Sequence, residues 1–379
     1  MSIYFDSAAT TSLDPIVIDE MLKYMREDFG NPSSTHAFGR KTRAAIDLAR
    51  RRVAAHIHAE PGEIVFTSGG TEADNMAILC SVKDLGIKHC ITSAIEHHAV
   101  LYPLEELARE GKIKLSIVDV HENGHIDLDH LKRLLSENER SFVSLMHANN
   151  ELGNLLPIKE VGEICRDHDA IFHSDTVQTI AHYELNVSEL YVHFITCAGH
   201  KFHGPKGSGF LYVDSSLKIN PIIRGGSQER GIRAGTENVY GIMGLAKALD
   251  LAYELLDEHT SYIKGLKMHM AERLQEEFPG MAFNGDAYGE SLYTVLNVCL
   301  PETDKKEMLL FNLDIEGVSV SGGSACSSGS DVGSHVLTAI GSNPNRPSIR
   351  FSFSKNNTME EVDFAVRKLK DIYALPVMA

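Results

Sequence analysis

The chain has 379 residues, of which 43% are hydrophobic and 23% charged, and its formal net charge is −16. These values are typical of a folded globular protein with a large core, and the negative charge argues against direct binding to nucleic acid or to an anionic membrane. No apolar run approaches the roughly 20 residues of a membrane span. The six cysteines show neither CxxC pairs nor metal-type spacing, so we expect free thiols and a cytoplasmic protein.

Helical and strand-like patterns alternate along most of the chain. Apolar residues recur on one face of a predicted helix over 38–58, and a long helical stretch is predicted from Asn238 to about Phe278. A capping box from Thr358 to Glu361 opens a closing helix. Strand-like runs begin near residues 64, 91, 114, 142, 171, 194 and 209. Because several of these runs are separated by helical segments, the sequence predicts an α/β fold with a largely parallel sheet.

A glycine-rich turn follows the first of these strands. Residues 64–78, IVFTSGGTEADNMAI, predict a buried strand, a Ser-Gly-Gly turn and a helix that opens at Thr71. The backbone N–H groups and the dipole at such a helix start form a seat for a phosphate group. Turns of this kind also serve merely as connections, so the motif is weak on its own.

Polar residues stand at the ends of three further strands. His97 follows the strand near 91, Asn149 and Asn150 follow the strand near 142, and Asp175 closes the strand near 171. An imidazole can stack on an aromatic ring and move protons, an amide can donate to a phenolic oxygen, and a carboxylate can pair with a protonated pyridine nitrogen. Each has a structural alternative, namely a hydrogen-bonded histidine, a turn and a helix N-cap.

The stretch from Phe194 to Val213, FITCAGHKFHGPKGSGFLYV, predicts two apolar strands around a polar turn that carries Lys201. A lysine where a buried strand ends at a pocket suits Schiff-base chemistry with pyridoxal phosphate (PLP). The alternative is an ordinary surface lysine, and spacing alone does not exclude Lys206 as the reactive amine. Because open α/β sheets bind ligands at the carboxyl ends of their strands, we expect these polar strand ends to form one site.

A segment rich in glycine and serine, SGGSACSSGS over residues 321–330, carries Cys326. Its composition is also that of a flexible linker. Since it lies between apolar segments, we expect a mobile loop whose thiolate is a nucleophile. Arg350 lies in the strand-like run that follows, where it offers a bidentate fork for a carboxylate or, alternatively, is a solvated strand residue.

Together these motifs resemble those of cysteine desulfurases of the NifS/IscS type, in the class V aminotransferase group of fold-type I PLP enzymes. The resemblance covers nearly the whole chain and rests on FDSAATT, GNPSSTHAFG, FTSGGTEADN, EHHAV, NNELG, HSDTVQ, GHKFHGPKG, ERGIRAGTENV and SGGSACSSG. It implies a fold-type I PLP-dependent transferase, with a mostly parallel seven-stranded sheet in a large PLP-binding domain over residues 14–258. A smaller α+β domain, which carries the cysteine loop, would comprise residues 1–13 and 259–379.

The resemblance also implies a role for each candidate residue. Lys201 would be the Schiff-base lysine, and Cys326 would take the sulfur of L-cysteine as a persulfide with release of L-alanine. Asp175 would pair with the pyridine nitrogen, His97 would stack on the ring, and Asn150 and Gln178 would contact the phenolic oxygen. Thr71 and His200 would contact the phosphate, together with Thr236 from the other subunit of a homodimer. Asn31 and Arg350 would bind the substrate carboxylate.

Three features depart from the family pattern, of which Ser7, where many members have Asn or Tyr, carries the least weight. Ala198 occupies the position, two residues before the His-Lys pair, where the family usually has a phosphate-binding serine. The chain stops at Ala379 without the longer tail that some members use to dock a scaffold, which argues against a dedicated scaffold partner. The expected sulfur acceptor is an iron–sulfur scaffold or a thiolation carrier. Alternatives of the same fold are a selenocysteine lyase and an aminotransferase, and a mobile cysteine loop argues against the latter.

Overall fold

The computed structural model describes residues 2–322 and 333–374. The helices are α1 (Pro15–Arg26), α2 (Ala37–His56), α3 (Gly70–Lys83), α4 (His98–Arg109), α5 (Leu128–Ser136), α6 (Ile158–Asp167), α7 (Val187–Leu190), α8 (Val239–Glu254), α9 (Leu256–Glu277), α10 (Leu309–Ile315), α11 (His335–Ala339) and α12 (Met359–Ala374). The strands are β1 (Ile3–Tyr4), β2 (Ile64–Thr67), β3 (His89–Ser93), β4 (Lys114–Val118), β5 (Ser141–Ser144), β6 (Ile171–Asp175), β7 (Phe194–Ala198), β8 (Gly209–Val213), β9 (Ala282–Phe283), β10 (Val295–Cys299), β11 (Val318–Ser319) and β12 (Ser348–Ser352). Within the described ranges, no helix is long and apolar enough to cross a membrane.

The central sheet has seven strands in the order β2-β8-β7-β6-β5-β3-β4. Five of these, β3 to β7, form parallel pairs, whereas β8 runs antiparallel to both β7 and β2. All strands of this sheet except β4 are buried at every residue, as expected for strands that helices cover on both faces. The predicted α/β fold with a mostly parallel seven-stranded sheet is confirmed.

A second, smaller core lies apart from the central sheet. There β10 pairs antiparallel with β9 and β12, and β1 pairs parallel with β11. Its buried apolar residues come from positions 3 and 5 and from 263–372, whereas the two main cores around the central sheet use residues 17–249. This separation supports the predicted domain boundaries near residues 13 and 258, which stay a prediction.

Most helices and strands lie where the sequence pattern predicts them. The capping box of α12 is present, since Glu361 N donates to Thr358 Oγ1 at 3.3 Å and Thr358 N donates to Glu361 Oε2 at 3.2 Å. The long helical stretch predicted after Asn238 is present. It is two helices, because Leu255 leaves helical geometry between α8 and α9 with φ −113° and ψ 22°. No glycine or proline marks this break, so the sequence pattern did not reveal it.

The strand directions bring the predicted polar positions to one edge of the central sheet. Because β8 is antiparallel to both of its neighbours, β2 runs in the same direction as β7. The strands β3, β5, β6 and β7 are parallel along the sheet. The carboxyl ends of these five strands therefore share the edge at which open α/β sheets bind ligands.

A buried ion pair fastens the segment that leads to Thr236 against the edge strand β2. Arg50 on α2 donates from Nη1 and Nη2 to the two carboxylate oxygens of Glu229, both at 2.7 Å. Glu229 also accepts the N–H of Phe66 at 2.9 Å. The two charged side chains are only 7% and 3% exposed, so each depends on the other for its charge compensation.

Glu229→Ala is expected to lower the free energy of unfolding by about 3–5 kcal/mol, because it leaves the Arg50 charge buried and unpaired. The more exposed pair of Arg273 and Glu276 supplies the control, and Glu276→Ala should leave stability nearly unchanged. Urea unfolding followed by circular dichroism measures both variants. A Glu229→Ala protein as stable as the Glu276→Ala protein would contradict this account of the pair.

Candidate active site

A cavity of about 280 Å³ lies at the carboxyl edge of the central sheet. This volume is close to the lower end of the range for small-molecule sites, roughly 300–1,000 Å³. The cavity brings together eight of the predicted site residues, which are Thr71, His97, Asn150, Asp175, Gln178, His200, Lys201 and Arg350. Residues as distant in the sequence as Thr71 and Arg350 therefore line one pocket.

Lys201 ends a short 3-10 turn that follows β7 directly. Its Nζ donates to the backbone carbonyl oxygens of Ala8 at 2.6 Å and Ala9 at 3.0 Å, so the N-terminal segment holds the amine at the cavity. His200 contacts Thr10 through Nδ1 and Oγ1 at 3.1 Å. Lys206 is exposed and does not line the cavity, which favours Lys201 as the reactive amine.

Asp175 closes β6 and is 5% exposed. Its Oδ1 accepts the N–H of Val177 at 2.9 Å, within a turn, and no helix begins here as the N-cap alternative required. Burial, together with the nearby charge of Asp74, raises the pKa of the Asp175 carboxyl to about 7. A buried carboxyl whose ionised form is disfavoured gains most from a cationic partner, and a protonated pyridine nitrogen is such a partner.

His97 is the N-cap of α4, where its Nδ1 accepts the N–H of Ala99 at 3.1 Å. Burial and the nearby Lys201 lower the pKa of the His97 imidazole to about 4, so the ring is neutral at neutral pH. Because Nδ1 is an acceptor, we assign the ring proton to Nε2. A neutral imidazole in the cavity wall can stack on an aromatic ring and donate from Nε2 at the same time.

The start of α3 forms the part of the cavity that suits a phosphate. Gly70 and Thr71 line the cavity, and the first N–H groups of a helix have no acceptor within that helix. A Cβ on Gly70 would lie 2.9 Å from Cγ2 of Val177 and 3.8 Å from Cβ of Ala198, so a side chain would crowd this approach. The chemistry of this corner of the cavity fits the phosphate of PLP.

Arg350 lies on β12 and is 1% exposed. Its Nη1 donates to the backbone oxygen of Asn150 at 2.9 Å, and its Nη2 donates to Oδ1 of Asp6 at 2.7 Å. Its Nε has no hydrogen-bond acceptor in the described part of the chain. A buried guanidinium with an unused N–H group is suited to bind a substrate carboxylate.

The side chains of the adjacent residues Asn149 and Asn150 have different surroundings. The side chain of Asn149 is engaged in the fold, since Nδ2 donates to Ile95 O at 2.7 Å and Oδ1 accepts the N–H groups of Glu151 and Leu152 at 2.8 Å. Asn150, in contrast, lines the cavity. Gln178 lines it as well and donates to Ala8 O at 3.1 Å. These positions favour Asn150 and Gln178 as donors to a phenolic oxygen.

Two predicted site residues within the described ranges, Asn31 and Thr236, do not line this cavity. Asn31 is exposed, and its Oδ1 accepts the N–H of Ser33 at 2.9 Å in a local turn. Thr236 lines a separate cavity that also contains Ser68. Cys326 lies outside the described residues. The cavity of a single chain therefore contains the groups predicted to bind the cofactor, except Thr236.

Four ionisable residues of the cavity wall were not predicted from the sequence: Asp74, His98, Glu151 and His335. Asp74 could have been found, because it lies three residues after Thr71 on α3 and so shares its helix face. His98 and Glu151 each follow a predicted site residue. His335 carries no local signal. It reaches the cavity from α11, where its Nε2 lies 2.9 Å from the backbone oxygen of Glu96.

Comparison with known proteins agrees with this geometry. The pattern of the family described as Aminotransferase class-V matches residues 3–364. The putative cysteine desulfurase IscS 1 of Bacillus subtilis (strain 168) is 44% identical over 376 residues, which is 98% of each chain. The cysteine desulfurase IscS of Dictyoglomus turgidum is 42% identical over 98% of this chain and 94% of its own.

Solved structures show the same likeness. A NifS-like protein matches with a TM-score of 0.90 at 36% identity, over 98% of this chain and 99% of its own. The structure of SspA in complex with cysteine matches with a TM-score of 0.80 at 30% identity, over 94% of this chain and 100% of its own. The predicted fold-type I architecture is confirmed, and the chain belongs to the class V aminotransferase family, within its PLP-dependent cysteine desulfurases.

Proposed function

We propose that the protein converts L-cysteine to L-alanine and holds the removed sulfur as a persulfide on Cys326. The observation that carries this proposal is the convergence of an amine, a carboxyl, an imidazole and a guanidinium on one cavity, from Lys201, Asp175, His97 and Arg350. These are the groups that a PLP enzyme acting on an amino acid requires. The relatives that match nearly the full chain are named cysteine desulfurases.

The predicted residues of the cavity each have a proposed task in this reaction. PLP, when bound, supplies an electron sink for the substrate Cα. The amine of Lys201, held near the carbonyls of Ala8 and Ala9, takes the Cα proton. The residues proposed to hold the cofactor are Thr71 and His200 at the phosphate, Asp175 at the ring nitrogen, Asn150 and Gln178 at the phenolic oxygen and His97 against the ring.

The substrate carboxylate is proposed to bind Arg350. Asp6 and the backbone oxygen of Asn150 fix the guanidinium but leave Nε–H unused. A carboxylate that accepts from Nε would complete the hydrogen bonding of a side chain that is 1% exposed. Asn31 stays a proposed second contact to this carboxylate, from a position outside the cavity of the single chain.

Sulfur transfer is proposed to occur at Cys326. Its thiolate attacks Sγ of the substrate, an S–S bond forms, and the Cβ–Sγ bond breaks with its electron pair on Cβ. Protonation of Cβ gives the methyl group of alanine, so no external oxidant or reductant is needed. A free thiol is mostly protonated at neutral pH, because its pKa is about 8.5. A hydrogen bond from Nε2–H of the neutral His97 would stabilise the thiolate.

We also propose that the protein is a homodimer in which Thr236 reaches the phosphate in the neighbouring subunit. In the single chain Thr236 lines a cavity other than that of Lys201, so a contact to its own cofactor lacks support. The aromatic rings of Phe29 and Phe38 pack against each other at 5.7 Å while both residues remain more than half exposed. Exposed aromatic residues of this kind are enriched in protein interfaces.

The sulfur acceptor is proposed to be an iron–sulfur scaffold or a thiolation carrier, in the cytoplasm. The names of the relatives support the first of these. Five cysteines, Cys80, Cys90, Cys165, Cys197 and Cys299, are free and buried, as expected in a reducing compartment. Transfer of isotopically labelled sulfur from the loaded protein to each candidate carrier identifies the acceptor, and transfer to neither would refute this part.

Lys201→Ala is expected to abolish alanine formation from L-cysteine, because the amine that takes the Cα proton is lost. Lys206→Ala is the matched control, since Lys206 is exposed outside the cavity, and it should retain activity. Cys326→Ala should keep the visible absorbance of the loaded protein but accumulate no persulfide. Loss of alanine formation in Lys206→Ala together with its retention in Lys201→Ala would reverse the assignment.

Ala198→Ser is expected to tighten PLP binding about tenfold or more, because a hydroxyl beside the start of α3 adds a hydrogen bond to a charged phosphate, worth about 1.5–3 kcal/mol. Ala9→Ser adds a hydroxyl at another lining position and should change the affinity little. Fluorescence titration of the apo-protein with PLP measures both dissociation constants. Unchanged or weaker binding by Ala198→Ser would count against the proposed phosphate seat.

Sedimentation of the loaded protein is expected to give two chains per particle. Substituting both Phe29 and Phe38 with aspartate should shift the protein towards the monomer, because two charges would be buried in the interface. Thr236→Ala should leave the dimer intact but weaken PLP binding. A monomer with full activity would contradict the proposed dimer.

A further inference from the structure

Three acidic side chains lie buried beside the cavity: Asp74 on α3, Glu96 just before α4, and Asp175 at the end of β6. None is more than 5% exposed. They act on one another electrostatically, since the charge of Asp74 raises the pKa of both of the other carboxyl groups. The three form one cluster, in which Lys201 is the cation that favours the ionised form of Asp175.

The described residues around Asp74 provide few groups that would stabilise an ionised carboxylate. Thr196 hydrogen-bonds to its side chain, but Oδ1 has no hydrogen-bond partner among the described residues. The ring of His173 is near, with Nε2 at 3.4 Å from Oδ1. Burial lowers the pKa of that imidazole to about 4, so His173 is neutral at neutral pH and brings no positive charge.

His173 is itself held by two neighbouring strands. Its Nδ1 lies 2.8 Å from Oγ of Ser144 on β5, and its Nε2 lies 3.2 Å from Oγ1 of Thr196 on β7. Both ring nitrogens therefore have hydroxyl partners on the neighbouring strands. Desolvation therefore dominates at Asp74 and raises the pKa of its carboxyl to about 7.

Glu96 does not supply the charge of the cluster either. Its carboxylate accepts the N–H of Met146 at 3.0 Å and the hydroxyl of Ser93 at 2.9 Å. Desolvation outweighs these bonds and raises the pKa of Glu96 to about 8, with Asp175 and Asp74 adding to the effect. Asp175 differs from both, because the backbone N–H of Val177 and the positive charge of Lys201 together favour its ionised form.

We propose that Asp74 is a positioning residue that keeps its proton, so that the negative charge of the buried cluster resides on Asp175, where it meets the ring nitrogen of PLP. This inference rests on the proposed role of Asp175 at that nitrogen. Asp74 does not contact the reacting atoms. It acts through Asp175, because a second buried negative charge beside Asp175 would favour protonation of both carboxyl groups.

The apo-protein tests whether Asp74 carries the proton. A carboxyl with a raised folded-state pKa binds more protons in the folded than in the unfolded state, where its pKa is about 3.9. Its cost to stability therefore grows as the pH rises from about 4 to about 7 and is fully present above that. Asp74→Asn removes this cost, so at about pH 8 its folding equilibrium constant should exceed that of the wild type by roughly tenfold or more.

Asp84→Asn is the matched control, because Asp84 follows the same helix α3 and hydrogen bonds from Asn220 lower the pKa of its carboxyl. This substitution should destabilise the protein above about pH 4, which is the opposite sign. Infrared difference spectra between wild type and Asp74→Asn at about pH 6 should show a protonated-carboxyl band in the wild type that the variant lacks. No stabilisation by Asp74→Asn, or no such band, would overturn the proposal.

The loaded protein tests where the charge resides. Asp74→Asn keeps the ionised Asp175, so the visible absorbance of bound PLP should match that of the wild type and vary less with pH. Asp175→Asn removes the charged partner of the ring nitrogen and should weaken PLP binding and shift that absorbance. If Asp74→Asn gives the weaker binding and the larger shift, the charge resides on Asp74 and the proposal is wrong.

These outcomes are separable from those for the proposed desulfurase. The stability and infrared measurements use no cofactor and no cysteine, so their failure would leave the proposed reaction intact. A protein that makes no alanine from cysteine could still pass them. The protonation of Asp74 and the desulfurase reaction are therefore tested by different measurements.

Discussion

The active site depends on the burial of acidic groups that outnumber the cations beside them. Asp74, Glu96 and Asp175 lie at the carboxyl edge of the sheet in a setting where each added negative charge is costly. The ionised form of one carboxyl, Asp175, is favoured by Lys201 and by a backbone N–H. We propose that this carboxylate receives the cationic ring nitrogen of the cofactor, since a buried negative charge gains most from a cationic partner.

The two cores of the protein must pack together for this site to exist. The central sheet supplies the lysine, the carboxyl and the imidazole, whereas Arg350 comes from β12 of the smaller core, where it pairs in register with Asn297 of β10. The N-terminal segment joins the two, because Asp6 accepts from Arg350 while Ala8 and Ala9 accept from Lys201. A change in the packing of the smaller core would thus move Arg350, the proposed substrate-binding residue, relative to Lys201, the proposed reactive amine.

Much of this arrangement follows from the sequence. Buried strand runs, each followed by a polar residue, predict both the parallel sheet and the edge where Lys201, Asp175 and His97 meet. Local pattern could not predict the break at Leu255, which no glycine or proline marks, or His335, which reaches the cavity through tertiary packing. It also could not show that Asp74 is buried without a counter-charge, because burial is a property of the folded chain. The composition of residues 321–330 is that of a linker, so Cys326 could be identified as a candidate catalytic residue only through the resemblance of its motif to that of the family.

The central claim is that the sulfur of L-cysteine passes to Cys326. The most direct measurement is mass spectrometry of peptides from the PLP-loaded protein after brief exposure to L-cysteine, with free thiols and persulfides alkylated before digestion. We expect the mass of one added sulfur atom on the peptide that contains Cys326, with alanine formed in equal amount. Added sulfur on the peptide of Cys197 or Cys299 instead, or alanine formed at the full rate by Cys326→Ala, would contradict it.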